Sequence, residues 1–340
     1  MKATSFNTGW TCRHLGSSAP GTPVTLPHDA MLAEERSQTS AGGTNTGWFA
    51  GYDYLYEKHF TPDAAQAAQC AVLEFEGVYH NAEVHLNGEK IASCPYGYSD
   101  FYADLTGKLL PGRENVLEVI AHNADQPNSR WYSGAGIYRP VTLWTAPARH
   151  ILPDGVQVRT LSIDPAEVEV TVQTTASGAV AVAILDGEQT VATAQAESNG
   201  KAVLRVQIPN AKLWSPDSPA LYRCRAMFGD DCAETTFGVR TLSWGDDGFL
   251  LNGKRVILLG ACVHHDHGVL GACCYPEAEE RKVRLLQKVG YNAVRCAHNP
   301  CSKAFLDACD RLGMLVMDEY ADMWYIHKTQ YDYAGYLPDH

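Results

Sequence analysis

Three short polar segments near the end of the chain contain residue types that bind ligands or transfer protons. They are His264-His265-Asp266-His267, Arg295 with His298, and Asp318-Glu319. Each segment follows a short apolar run, which is typical of a strand buried in a parallel sheet. Because the carboxyl ends of parallel strands meet at one edge of a sheet, we expect these side chains to border a single site.

The same residue types raise the question of a metal site. Histidine is a frequent zinc ligand, and His298 lies between Cys296 and Cys301 in the sequence. However, the chain contains neither the helical H-E-x-x-H pattern nor a C-x-x-C pair. We therefore expect no bound metal. We interpret one or two of the clustered histidines as partners of backbone groups in a loop.

Asp318 and Glu319 are residue types that can act as an acid–base pair, but they are adjacent at the end of a predicted strand. Adjacent residues of a strand point to opposite faces of the sheet, so both cannot easily serve one site. We expect one of them to make structural bonds, either to a barrel neighbour such as Arg295 or to a helix end.

The residues around these segments follow an alternating pattern of strands and helices. It predicts a strand at residues 256–259, a helix from Pro276 to Gly290, a strand at residues 292–294, a helix at residues 304–312 and a strand at Leu315–Met317. No glycine-rich phosphate loop follows the first strand, which argues against a nucleotide-binding sheet. A barrel of eight such units needs about 250 residues, whereas about 90 follow Leu251. We therefore interpret residues 241–340 as the truncated start of a larger barrel.

Residues 1–147 are predicted to form a β-sandwich. Segments rich in β-forming residues alternate with turn signals such as Asn87-Gly88, and a single sheet would leave one apolar face open. Aromatic residues are concentrated in the loops, where their flat faces can pack internally or stack on a ligand. We interpret Trp48 and Tyr98 as packing residues. For Arg130 and Trp131 both interpretations stay open.

Residues 148–240 contain a second series of short β-forming segments. Ser-Gly, Asp-Gly-Glu and Asn-Gly turn signals separate them, a rhythm that is typical of an immunoglobulin-like sandwich. The polar residues fit the solvent faces of strands and form no reactive cluster. We expect this region to be a structural spacer.

The composition of the 340-residue chain excludes several classes of function. Its formal net charge is -12, and no lysine or arginine cluster offers the basic surface that nucleic acids require. No signal peptide is recognisable, and no apolar run approaches the roughly 20 residues that span a bilayer. The 11 cysteines, an odd number scattered along the chain, favour reduced thiols. We therefore expect a cytoplasmic protein without nucleic-acid or membrane partners.

Several motifs occur in the order found in glycoside hydrolase family 2, which the chain resembles over essentially its whole length. They are Pro27-His28-Asp29, SRWYSGAGIYRPV from Ser129 to Val141, LNGKRVILLGACVHHDHGVLG from Leu251, NAVRCAHNP and GMLVMDE. The resemblance implies a jelly-roll sugar-binding sandwich, an immunoglobulin-like β-sandwich and the first βαβαβ part of a TIM (β/α)8 barrel.

The same resemblance implies hydrolysis of β-linked sugars with retention, by two glutamates that follow barrel strands four and seven. Neither strand belongs to this chain, so we assign no catalytic residue in it and expect both glutamates after His340. The favoured activity is that of a β-galactosidase. A β-glucuronidase of the same family and a non-catalytic carbohydrate-binding module are the alternatives.

The resemblance also assigns supporting roles. It implies that His264 and His298 bind sugar hydroxyls, that Arg295 lies beside the nucleophile, and that Arg130 and Trp131 lie on a loop that approaches the barrel mouth. We predict all five as substrate-binding residues. The segment after Glu319 lacks the glutamate and histidine that hold magnesium in one β-galactosidase type, so we expect no magnesium site and no cofactor. The expected partner is a β-linked oligosaccharide or glycoside, and homo-oligomerisation is left open.

Overall fold

The computed structural model describes residues 1–67, 69–323 and 325–335. The first domain is built from β1 (Lys2–Ser5), β2 (Trp10–His14), β3 (Thr22–Val24), β4 (Tyr54–Phe60), α1 (Ala64–Ala67), β5 (Cys70–Phe75), β6 (Ala82–Leu86), β7 (Glu89–Cys94), β8 (Phe101–Asp104), β9 (Asn115–Ala121) and β10 (Val141–Ala146). Among the described residues these strands form an antiparallel sheet in the order β1-β10-β5-β8 and another in the order β3-β2-β4-β9-β6-β7. The predicted two-sheet sandwich is therefore confirmed.

Alternation of side chains explains how the two sheets share one core. Every second residue of β9 is buried, including Leu117, Val119 and Ala121. Burying a leucine or valine side chain stabilises a fold by roughly 1.5–3 kcal/mol. Between β6 and β7, Asn87 and Gly88 have φ values of 52° and 84°, as the predicted tight hairpin requires.

The second domain is organised around one long hairpin. Its strands are β11 (Ile151–Ile163), β12 (Ala166–Asp186), β13 (Gln189–Gln207), β14 (Trp214–Ser215), β15 (Ser218–Pro219), β16 (Tyr222–Phe228) and β17 (Asp231–Phe237). The first part of β12 pairs with β11, its second part pairs with β16, and β13 follows it along both parts. One hairpin thus connects both layers of the sandwich, which the sequence predicted as several shorter strands.

The predicted turns at Ser177-Gly178 and Asn199-Gly200 are wrong. Ser177 pairs with Asn199 across β12 and β13, with a shift of register beside them, and their side chains are 2.8 Å apart. Because the turn-forming residues face each other, they make an irregularity through which both strands continue. The predicted Asp-Gly-Glu turn is confirmed at the tip of the hairpin.

The third region begins with a small antiparallel sheet and continues as a β/α array. Its elements are β18 (Leu242–Gly245), β19 (Gly248–Leu251), β20 (Lys254–Arg255), β21 (Gly260–Val263), α2 (Pro276–Lys288), β22 (Ala293–Cys296), α3 (Lys303–Leu312) and β23 (Leu315–Met317). Strands β21, β22 and β23 pair in parallel in that order. Short 3-10 helices lie at Ala30–Ala33, Gly43–Thr46, Gly268–Leu270 and Tyr333–Gly335. The predicted succession of strand, helix, strand, helix and strand is confirmed.

Local signals fix the ends of helix α3. The side chain of Ser302 caps its start by accepting the N–H of Phe305 at 3.1 Å, and Gly313 ends it with a φ of 80°. A Cβ atom at Gly313 would lie 2.4 Å from the carbonyl oxygen of Pro216. Glycine is therefore required both for the left-handed turn and for the close approach of the second domain.

The predicted first strand at residues 256–259 is wrong, because the paired strand begins at Gly260. Ile257, Leu258 and Leu259 are 69%, 44% and 55% exposed, although they form the apolar run that suggested a strand. The side chain of Asn292 holds this segment by bonding the carbonyl of Ile257 and the N–H of Leu259. Hydrophobicity located the segment correctly but could not locate the first residue that pairs.

The structure also bears on the membrane and cysteine predictions. Across the described ranges, no helix is both long and apolar enough to cross a membrane. The 11 cysteines are free thiols, as the sequence predicts.

Candidate functional site

The carboxyl ends of the parallel strands lie side by side, as the polar segments predicted. Pairing aligns Val263 of β21 with Cys296 of β22, and Arg295 of β22 with Met317 of β23. The residues that follow these positions therefore emerge at one edge of the sheet. His264, His298 and Glu319 come from three different strand ends and meet there.

Arg295, His298 and Glu319 form a hydrogen-bonded triad. The Nε of Arg295 donates to Oε1 of Glu319 at 2.6 Å, and Nδ1 of His298 lies 3.1 Å from Oε2. Nη2 of Arg295 also lies 3.3 Å from Nδ1 of His298. Because Nδ1 faces Arg295 and Glu319, Nε2 is the ring nitrogen that can face a ligand. Burial raises the pKa of Glu319, but the hydrogen bonds from Arg295 and His298 outweigh it and lower the pKa below its ordinary value.

Trp131, from a loop of the first domain, covers both predicted sugar-binding histidines. Its ring stacks on His264 with centroids 5.5 Å apart at 25°, and its centroid lies 5.3 Å from that of His298. The Nε1 of Trp131 donates to the hydroxyl of Tyr98 at 3.0 Å, which fixes the ring. We call the following five side chains the site wall: Trp131, His264, Arg295, His298 and Glu319.

Arg130 lies at the rim beside the site wall. Its Nη2 donates to Oδ2 of Asp322 at 2.6 Å, and its guanidinium lies 5.8 Å from the ring centroid of Trp131. Asp322 also accepts from Nζ of Lys328 at 2.6 Å. The structure thus places Arg130 near the other predicted residues, with its charge already paired.

Asp318 and Glu319 serve different neighbours. Glu319 binds Arg295, whereas Oδ1 of Asp318 accepts the N–H of Cys301 at 3.2 Å, just before α3 begins. The expectation that one of them bonds to Arg295 or to a helix end is therefore confirmed, and each carboxylate makes one of these contacts.

His265 and His267 do not belong to the site wall. The Nε2 of His265 lies 3.2 Å from the carbonyl oxygen of Ser133, and burial lowers the pKa of His265 to about 3. The Nε2 of His267 lies 3.3 Å from Oε2 of Glu279. In the part of the chain that the structure describes, the clustered histidines do not converge as metal ligands. His265 therefore meets the expectation that one or two of the clustered histidines bond backbone groups.

The buried carboxylate of Glu279 lies beside His267, so the packing around His267 can be tested by changing the pH. Glu279 accepts from Ser302 at 2.9 Å and lies 3.5 Å from Nζ of Lys282. Burial raises its pKa, but His267, Lys282 and Ser302 outweigh burial and lower it from 4.5 to about 2. Folding therefore favours the ionised form, so this stabilisation is present above about pH 4.5 and is lost as the pH falls toward about 2.

We expect Glu279→Gln to lose roughly 2–3 kcal/mol of pH-dependent stability. The unfolding free energy of the wild type should fall more steeply on acidification below pH 4.5 than that of the variant. Urea unfolding followed by circular dichroism across a pH series measures the difference. The exposed neighbour Glu277→Gln is the control, and equal slopes for all three proteins would contradict the assignment.

Asp29 of the Pro27-His28-Asp29 motif is a buried carboxylate that joins two parts of the chain, a role that no local sequence pattern indicates. Its Oδ1 accepts the N–H groups of Met31 and Ala135, at 3.1 and 3.0 Å. Its Oδ2 accepts the hydroxyl of Tyr132 at 2.7 Å and the N–H of Ala272 at 2.9 Å. Burial raises the pKa of Asp29, and these four donors oppose the rise. Asp29 therefore joins the first domain to the loop that follows β21.

Arg139 makes a second junction. It is buried, and it donates to the carbonyl of Tyr98 at 2.8 Å and to that of Pro300 at 2.7 Å, across the domain boundary. Aromatic side chains fill the space between these junctions; the cluster contains Tyr79, Tyr96, Tyr98, Trp131, Tyr138, Ala272, Met323, Tyr333 and Ala334. The loops of the first domain and the strand-end loops of the third region are thus one packed unit.

The site wall brings a buried aromatic ring together with imidazole and guanidinium groups, and the polar groups are of the kinds that hydrogen-bond hydroxyls. Within the described residues, Glu319 is the carboxylate of this wall, and Arg295 and His298 already bind its two oxygens. Cleavage of a glycosidic bond uses two carboxyl groups that act on the bond itself. The arrangement therefore suits positioning of a ligand, and we assign no nucleophile or general acid to it.

Known families match the chain in three consecutive sections. Residues 10–149 match the Glycosyl hydrolase 2 galactose-binding domain-like family, residues 154–240 match Glycosyl hydrolases family 2, and residues 243–330 match Glycosyl hydrolases family 2, TIM barrel domain. The order agrees with the predicted jelly-roll, immunoglobulin-like and barrel sections.

Individual relatives agree with these matches. The chain is 38% identical to a β-galactosidase of Bacteroides ovatus, over 98% of this chain and 42% of the relative. It is 32% identical to a putative β-glucuronidase of Formosa agariphila, over 92% of this chain and 31% of the relative. The solved structure of a family 2 member from Bacteroides cellulosilyticus has a TM-score of 0.91 at 35% identity, covering 99% of this chain and 48% of that one.

The chain spans less than half the length of these relatives. Within that span the family matches follow one another across nearly all of it, and the fold agrees with that of the solved relative. The chain belongs to glycoside hydrolase family 2.

Proposed function

We propose that the full-length protein is a retaining β-glycosidase that removes terminal β-linked sugars, and that its substrate is a β-galactoside. The observation that carries the proposal is the site wall. Trp131 comes from the first domain, while His264 and His298 come from the third region, and their rings pack together. A sugar held there would meet an aromatic ring and hydrogen-bonding groups from both regions. We further propose that the catalytic glutamates follow barrel strands four and seven of the full-length protein.

In this proposal His264 and His298 bind sugar hydroxyls. Burial lowers the pKa of His264, so its ring is neutral near pH 7 and can both donate and accept. Glu319 holds Arg295 and His298 in place, so that the guanidinium would lie as a fixed hydrogen-bond donor beside the nucleophilic carboxylate. Arg130 positions the loop that carries Trp131.

The choice between galactoside and glucuronide rests on charge as well as on similarity. A glucuronide carries a carboxylate, which a site binds best with an unpaired cation. On the described wall and rim, Arg295 is bonded to Glu319 and Arg130 to Asp322, so both cations are already neutralised. The relative from Bacteroides ovatus is named a β-galactosidase. Both points favour the neutral sugar, and a β-glucuronidase is the alternative.

The substrate class is tested with matched nitrophenyl substrates. We expect the full-length protein to hydrolyse the β-galactoside with a kcat/KM at least about 10²-fold above that for the β-glucuronide. The reverse preference would replace the proposed substrate, and no hydrolysis of either would favour a carbohydrate-binding module.

The position of the catalytic glutamates is tested with the 340-residue chain alone. Because it lacks the proposed nucleophile and acid, we expect no turnover of nitrophenyl β-galactoside above buffer. Hydrolysis that survives repurification would show that the catalytic groups lie within the chain.

A further inference from the structure

Two thiols and a carboxylate converge behind the site wall. Cys296 is the last residue of β22, Cys301 lies just before α3, and Asp318 follows β23. One ligand atom from each lies within 4.8 Å of the other two. In the sequence these cysteines lie on either side of His298, but the imidazole of His298 contacts Glu319 instead. The third group beside the thiols is Asp318.

The chemistry of this group fits a zinc ion. Zinc binds cysteine sulfur at about 2.3 Å and carboxylate oxygen at about 2.0–2.2 Å, in tetrahedral geometry. Two sulfurs on one tetrahedral zinc are about 3.8 Å apart, so the observed cluster needs only a small contraction. Cys296 is buried, Cys301 is half-buried and Asp318 is exposed. The open side leaves room for water as the fourth ligand.

The orientation of the carboxylate is already fixed. The N–H of Cys301 donates to Oδ1 of Asp318 at 3.2 Å, so one ligand residue holds another in place. Such hydrogen bonds to a ligand restrict its rotation and strengthen metal binding. The second oxygen of Asp318 is then available to coordinate an ion.

A buried positive charge lies next to this cluster. Arg139 is buried and donates to the carbonyl of Pro300 at 2.7 Å, one residue before Cys301. Among the described residues its hydrogen bonds go to carbonyl oxygens, and no carboxylate forms an ion pair with it. Two thiolates, one carboxylate and Zn²⁺ carry a net charge of about −1. The metal-bound cluster would therefore offset the charge of Arg139, which a buried guanidinium requires.

A second group of converging acidic residues in the described chain is less suited to binding a metal ion. It consists of Glu74, Asp100 and Asp154, and the ammonium group of Lys303 lies among them, 3.5 Å from Asp100 and 3.0 Å from Asp154. A lysine already supplies the positive charge there. The thiol cluster contains no such cation among its ligand atoms.

We propose that Cys296, Cys301 and Asp318 bind one Zn²⁺ ion, which ties together the two ends of the loop carrying His298. On binding, both thiols lose their protons to solvent, the two sulfurs and one oxygen of Asp318 coordinate the ion, and water fills the fourth position. In this proposal the ion serves as a cross-link within the fold. It holds residues 297–300 against the ends of β22 and β23, and so positions His298 in the site wall.

Zinc stoichiometry of the reduced 340-residue chain tests the proposal independently of any glycosidase activity. After incubation with zinc sulfate and gel filtration, atomic spectrometry should find about one zinc ion per wild-type chain. Cys301→Ser should abolish retention. Asp318→Asn changes an exposed side chain, so it should preserve the fold and weaken zinc affinity by at least about tenfold. Circular dichroism verifies that each variant is folded.

Two variants separate this site from adventitious binding. Cys232→Ser removes an exposed thiol of the second domain, and His298→Ala removes the imidazole between the proposed ligands; both should keep one zinc ion. With Co²⁺ in place of zinc, the wild type should show a thiolate-to-cobalt charge-transfer band that Cys301→Ser lacks. Failure of the wild type to retain zinc, or full retention by folded Cys301→Ser, would overturn the proposal.

Discussion

Replacing His298 by alanine in the full-length protein should lower kcat/KM for a β-galactoside by about 10²–10³-fold and leave the fold intact. The substitution removes the proposed hydroxyl-binding nitrogen Nε2. It also removes the ring beside Trp131, at 5.3 Å between centroids, and one hydrogen-bond partner of Glu319. Most of the loss should fall on kcat, because a sugar hydrogen bond that strengthens in the distorted transition state acts mainly there.

Steady-state kinetics with nitrophenyl β-galactoside measures this effect. His59 supplies a matched control: its side chain is 47% exposed and pairs with Glu57 on the surface of the first domain, so His59→Ala should retain the wild-type rate. If His298→Ala also retained that rate, the proposed sugar-binding role would be wrong. A loss that appeared only in KM would assign His298 to uniform binding of substrate and transition state.

The second large effect concerns Asp29. We expect Asp29→Ala to destabilise the 340-residue chain by roughly 3–5 kcal/mol. Alanine leaves the N–H groups of Met31, Ala135 and Ala272 without their acceptor, and each buried unpaired donor costs about 1–3 kcal/mol. The hydroxyl of Tyr132 loses its partner as well.

Urea unfolding followed by tryptophan fluorescence measures this loss of stability. Asp230→Ala is the control, because Asp230 is an exposed residue of a turn in the second domain and its removal should change the midpoint little. A midpoint for Asp29→Ala equal to that of the control would show that the buried network adapts without the carboxylate.

The order of elements could be predicted from the sequence because local rules determine it. Pro276 begins α2 and Gly313 ends α3, as helix-terminus preferences dictate. The Asn87-Gly88 turn follows from the positive φ that it requires. These local rules fail where pairing with a distant strand determines the bounds of an element. The start of β21 depends on Ala293 as its partner. Turn-forming residues inside β12 and β13 are tolerated because they face each other.

In the candidate site, too, the sequence predicts the residues that follow local patterns but not those that depend on distant contacts. His264, Arg295 and His298 could be singled out because each follows a predicted strand, and the structure brings them together. Trp48 was interpreted as a packing residue but is 39% exposed, whereas Tyr98 is fully buried as expected. The supporting roles of Asp29 and Arg139 were missed, since their partners Ala272 and Pro300 are more than 100 residues away in the chain and no local pattern encodes such contacts.

The junctions at Asp29 and Arg139 have a consequence for biosynthesis. Both bind loops of the third region through groups that belong to the first domain, and the first domain leaves the ribosome earlier. Amino-terminal domains generally fold as units while synthesis continues. The loops after β21 and β22 would then fold against the surface of the already folded jelly-roll domain as they emerge.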